Sequence, residues 1–186
     1  MILNLIILVA LAWAFMVGYS RGFILQLIYT AGTFVAFFVA VTNYKNLAQQ
    51  ISSWVPFSSA TEGSHLLIFS DKLLFQLDEA FYAGVAFLMI FVAVYTIVRL
   101  LGIFLRFTTG PLGRKGKLIA GLLSFATTYF GLQMLLVTLS LVPLASVQSQ
   151  IYASSLAHLL VLHTPISSGL LQNLFIENIV KINPLG

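Results

Sequence analysis

From Met1 to Thr42 the chain carries one charged side chain, Arg21, set between two long apolar runs. Water cannot solvate such a stretch, and a soluble core of this size cannot hide it. Across all 186 residues, 60% are hydrophobic and 8% charged, against about 25% charged in a soluble domain. Lipid is the solvent that fits. In lipid every backbone N–H and C=O must be satisfied internally, so long apolar runs become helices even where Val, Ile and Phe are frequent. A span needs ~20 such residues. The sequence predicts an all-α polytopic membrane protein with four transmembrane helices, at about 2–19, 23–42, 81–105 and 118–142. These form one four-helix domain, residues 1–142. The first run has no basic region before it and a second span follows at once, so it is expected to stay as a span rather than act as a cleaved signal.

Ser20, Arg21 and Gly22 alone separate the first two spans, so a tight antiparallel hairpin is expected, with Gly18 and Gly22 easing the reversal and Arg21 at its tip. Between spans three and four, Arg106, Arg114, Lys115 and Lys117 stand with no acid among them. Excess Lys and Arg mark cytoplasmic loops, which makes these four the topology-determining residues. Arg21 then lies on the cytoplasmic side, and both termini and the segment 43–80 lie outside. At Arg21 the sequence permits two roles. It is a snorkelling anchor, or it sits in a polar pocket of the bundle, where a charge is costly and usually functional. Arg99, which shares a helical face with Arg106, poses the same choice.

Two segments are neither spans nor ordinary loops. In 43–57, Leu47, Ile51, Trp54 and Val55 recur at helical spacing. In 143–186, Val147, Ile151, Leu159 and Leu160 do the same, and Leu170, Leu171, Leu174 and Phe175 continue after Pro165. These suit interfacial amphipathic helices, making 143–186 an extracytoplasmic tail, or helices packed on the ends of the spans.

Small residues recur every fourth position: Ala10, Ala14, Gly18, Gly22; Gly32, Ala36, Ala40; and Gly116, Ala120, Ser124, Thr128. Such ladders let helix backbones approach closely, within a bundle or between copies. Polar residues also align, Gln26, Thr30 and Thr33 in span two and Ser124, Thr127, Thr128, Gln133 and Thr138 in span four. They predict interhelical hydrogen bonds or a polar seam.

Other chemistry is absent from the sequence. With no cysteine there is no disulfide, thiolate or Cys-based metal site. Glu62 and His65 form an isolated ExxH. His158 and His163, five apart, should not be neighbours on one helical face. No nucleotide motif occurs, and four of the five acids lie in 43–80. No enzyme, cofactor or metal is expected. The basic residues form no nucleic-acid stripe.

The hairpin bearing Arg21-Gly22-Phe23 with Gln26 shortly after, and the loop Gly113-Arg114-Lys115-Gly116-Lys117 leading into Ala120, Gly121 and Ser124, resemble the CvpA (colicin V production protein) family over roughly residues 1–142. Many relatives carry an arginine–glycine pair where Thr127-Thr128 stands here, and glycines where Ala120 and Ser124 stand. The resemblance implies a small bacterial inner-membrane protein that supports production or secretion of a peptide toxin and, more broadly, envelope homeostasis. Its expected partners are the lipid bilayer, secretion or envelope proteins, and further copies of itself. Arg21, Gly22, Gly18, Gln26 and Arg99 are the candidate functional residues. Two other roles compete: an oligomeric channel or small-solute transporter using the seam near Arg21, and an interaction protein acting through its tail.

Overall fold

The computed structural model describes residues 2–54, 65–105 and 113–181. Among them, four helices are long and apolar enough to cross a membrane: α1 (Ile2–Arg21), α2 (Phe23–Ile51), α3 (Leu77–Leu105) and α4 (Gly113–Ser140). No strand occurs among the described residues. Arg106 and Glu62 lie outside the described residues.

α2 runs on without a break to Ile51, taking in much of the segment expected to form a separate amphipathic helix. Nothing between Asn43 and Ile51 is Gly or Pro, so nothing stops the helix. Tyr44 and Ile51 are buried against the bundle while Trp54 is 84% exposed. α3 begins earlier than expected, at Leu77, behind a short 3-10 turn (Asp71–Gln76). Asp78 and Glu79 stand in its first turn, where the positive end of the helix dipole favours them.

The hairpin is tight in sequence but not in packing. Gly22 alone links α1 and α2, at φ 91°. From there the two helices part. α1 settles along α4, and α2 along α3. Gly18 explains the first pairing. A Cβ there would meet the Ala120 carbonyl oxygen at 2.6 Å and the Ser124 side chain, so only hydrogen allows this approach. Likewise Gly32 receives Val98 of α3. The small-residue ladders are thus used between helices of one chain: Ala14 and Gly18 with Ala120 and Ser124, and Gly32, Ala36 and Ala40 on the inner face of α2.

The tail folds as α5 (Ala145–Tyr152), α6 (Ser155–Leu162), α7 (Ser167–Gln172), a π-helical turn (Asn173–Glu177) and α8 (Asn178–Val180). It packs on the bundle, with Leu160, Leu171, Phe175 and Ile176 almost wholly buried. Phe175 meets Phe87 of α3 at 5.1 Å between ring centroids. The elements from Ser155 to Leu162 and from Ser167 to Val180 bend through 73°. Both ends of this arm sit at one end of the bundle. Ser154 and Ser155 bond to Asn4 at the start of α1, and Tyr44 Oη donates to the Leu174 carbonyl at 3.0 Å. The bend reaches down α4, where Gln133 Nε2 donates to the Leu160 carbonyl at 2.8 Å and Ser167 Oγ donates to Gln133 Oε1 at 2.7 Å. Tyr129 Oη and Thr164 Oγ1 meet one helical turn further in, at 2.8 Å. Tyr129 lies eleven residues before the end of α4, a depth of about 16 Å along the helix axis. The arm is re-entrant: it enters the bundle and returns to the same end.

Candidate functional site

Tyr29 is the organising residue. One face of α2 presents Leu25, Gln26, Tyr29, Gly32 and Thr33 inward. Gly102 of α3 leaves room for the tyrosine: a Cβ there would meet Tyr29 Oη at 2.7 Å. Two arginines use the ring so placed. The Arg21 guanidinium carbon lies 5.4 Å from the ring centroid and that of Arg99 lies 5.3 Å from it. Arg99 also lies 5.8 Å from the Tyr95 ring. A cation over an aromatic face gains ~0.5–1 kcal/mol when exposed and ~2 when desolvated. Arg21 arrives from the end of α1 through the Gly22 turn. Arg99 arrives from α3, 78 positions later in sequence. Both are half-buried.

Together these residues line a recess of about 380 Å³ between α2 and α3. A second cavity of about 260 Å³ shares Tyr95 and Arg99 with it and adds Thr33, Thr127, Thr128 and Gly131. Arg99 is therefore common to both. The described acids Asp78, Glu79 and Glu177 stand at the other end of the bundle, near the start of α3 and in the tail. Arg114, Lys115 and Lys117 stand in the first turns of α4, at the same end as Arg21.

Of the sequence candidates, Arg21 and Arg99 come together. Gly22 makes the turn that delivers Arg21, and Gly18 fixes α1 on α4 just before it. Gln26 is 1% exposed, and its Oε1 has no hydrogen-bond partner among the described residues. Arg114 and Lys115 line a separate, shallow hollow with Phe23. The sequence alone did not single out Tyr29 and Tyr95. Their spacing to Arg21 and Arg99, eight residues and four, is the signal that was available.

The polar seam differs from expectation. Thr30, Thr33, Thr127 and Thr138 do not bond across helices among the described residues. Each hydroxyl donates to a carbonyl three or four residues back in its own helix, at 2.9–3.0 Å. Such back-bonding satisfies a hydroxyl in lipid without a partner helix. Gln133 does bond across elements, to the re-entrant arm. The histidines also differ. α6 ends at Leu162, and the chain turns at His163, so the rings of His158 and His163 lie 5.6 Å apart despite their spacing. No group of three or more metal-ligating side chains occurs among the described residues.

A family model described as colicin V production protein matches residues 3–165, beyond the four spans and into the tail. The chain is 32% identical over 177 residues to the uncharacterised transmembrane protein YshB of Bacillus subtilis (strain 168), covering 94% of this chain and 98% of that protein. No solved structure matches.

Proposed function

Because the chain belongs to the colicin V production protein family, we propose that it is a non-enzymatic component of the bacterial inner membrane that supports production or secretion of a peptide toxin and the upkeep of the envelope. The observation that carries this reading is the meeting of Arg21 and Arg99 on Tyr29. Two cations drawn from separate helices onto one ring, away from the described acids, are expensive to keep in a membrane. Such charges are usually retained for function. The positive-inside rule puts this end of the bundle in the cytoplasm, and both termini with the re-entrant arm outside. Partner proteins of the secretion apparatus would then meet the basic recess from within the cell.

The test is a deletion strain producing a colicin V-type peptide, with secreted and intracellular peptide measured separately. Loss of secreted peptide with normal synthesis is the expected result. Unchanged secretion would remove the proposal.

The cavity that Arg99 shares with Thr33, Thr127 and Thr128 favours a second role, an oligomeric channel or small-solute transporter. Four spans in one chain are too few for a wide pore, so this role needs several copies. Solute flux in proteoliposomes that changes with Arg21→Ala would support it. A strictly monomeric particle in mild detergent would exclude it.

A further inference from the structure

Because α1 settles along α4 and α2 along α3, a cleft is left between α3 and α4. A Cβ on Gly131 of α4 would meet nothing within 4 Å there. Arg99 stands at one end of this cleft, half-buried. It makes no hydrogen bond or ion pair among the described residues, and its contacts are the rings of Tyr29 and Tyr95. A ring face draws the cation but gives its five N–H donors no oxygen to bond. The nearest acid on the same helix, Glu79, is twenty positions away, about 30 Å along the axis. A guanidinium fork so placed matches a carboxylate, which it binds with paired, charge-assisted hydrogen bonds.

The rest of the cleft lies on the side of Arg99 away from the basic end of the bundle. Arg99 is six residues from the end of α3, about 9 Å along the axis, and Phe91 is fourteen, about 21 Å. Thr127 is fourteen residues into α4 from that same end, again about 21 Å. These deeper walls are apolar. Phe91 and Tyr95 stack at 5.9 Å between ring centroids, and Leu132 adds an aliphatic side. Thr33 and Thr127 donate to carbonyls of their own helices, so their hydroxyl protons are spent. The site thus has a cation at its shallow end and an apolar slot running inward. At about 260 Å³ it falls below the ~300–1,000 Å³ of ordinary small-molecule sites, room for one chain rather than the two of a phospholipid. We propose that this cleft binds a single-chain amphipathic carboxylate, its carboxylate on Arg99 and its apolar chain along Tyr95 and Phe91. Binding is a property of the cleft alone and holds whether the protein serves secretion or solute flux.

Photolabelling of the full-length protein in phosphatidylcholine proteoliposomes tests this. The label is decanoate with a diazirine in its chain, and the competitors are decanoate, decanol and acetate. The expected result is a label on residues 91–95 or 127–132 that decanoate suppresses and equal concentrations of decanol or acetate do not. Arg99→Gln should weaken competition by decanoate about tenfold or more, the loss of hydrogen bonds to a charged group. Gly131→Leu, which fills the cleft and leaves Arg99 in place, should abolish the suppressible label, whereas Arg114→Ala should bind as wild type does. Equal competition by decanol would overturn the proposal, since the charge would then play no part. Equal competition by acetate would also overturn it and make this a soluble-anion site. So would wild-type competition by decanoate in folded Arg99→Gln or in Gly131→Leu.

Discussion

Gln26 sits one turn into α2, its N–H bonded to the Gly22 carbonyl at 3.2 Å and its side-chain oxygen without a partner among the described residues. A buried polar atom left unpaired costs about 1–3 kcal/mol. Gln26→Leu removes that cost at similar volume. It is expected to raise unfolding stability by about 1 kcal/mol while lowering peptide secretion. Lower stability with full secretion would make Gln26 a packing residue only. Arg21 and Gly22 stand out in the sequence, because a lone charge beside a glycine in an apolar run has few explanations, and Gln26 stands out by its alignment with Thr30 and Thr33 and by the family resemblance. The meeting of Arg21 with Arg99 does not. It depends on α2 lying along α3, which rests on Gly32 receiving Val98 and Gly102 making room for Tyr29. Spacing within one helix carries no record of which helix lies opposite. The back-bonded threonines were misjudged for a related reason: a hydroxyl in a helix always has a carbonyl of its own within reach.

Among the elements, the re-entrant arm departs most from a surface-lying tail. Its apolar residues have helical spacing, as expected, but they face the spans rather than lipid. Gln133 is the clasp, accepting from Ser167 and donating to Leu160. Gln133→Leu strands the Ser167 hydroxyl and leaves the Leu160 carbonyl to the Thr164 hydroxyl, at 3.2 Å. It should cost about 1–3 kcal/mol of stability and expose the 155–180 segment to protease in reconstituted membranes. Unchanged protease resistance would mean that apolar burial alone holds the arm. The sequence signalled a break at Pro165 and two amphipathic pieces around it. It gave no sign of their depth, since an apolar face suits a membrane surface and a helix bundle alike.

As a whole, the molecule is inverted relative to a soluble protein. Ile2, Leu5, Trp13, Phe34, Phe38 and Phe104 face outward, where acyl chains are the solvent. The acids Asp78, Glu79 and Glu177 gather at one end, with Lys45 among them, and Arg21, Arg99, Arg114, Lys115 and Lys117 stand at the other. The fold class and the four spans follow from hydropathy alone, because length and charge exclude other solutions. The absence of cysteine makes orientation directly measurable. A single cysteine at exposed Ser20 should react with an impermeant maleimide from the cytoplasmic side, and one at Trp54 from the other. Labelling of both from one side would refute the orientation.

Complementation tests the central claim, that Arg21 and Arg99 form one functional site, most directly. A deletion strain would carry wild type, Arg21→Ala, Arg99→Ala, the double variant or Arg114→Ala, each at matched membrane level, with secreted peptide as the readout. One shared site predicts that each single variant falls close to the deletion strain, that the double variant is little worse than either, and that Arg114→Ala secretes normally. Full secretion by Arg99→Ala beside a defective Arg21→Ala would contradict it, leaving Arg21 to act through the hairpin tip alone.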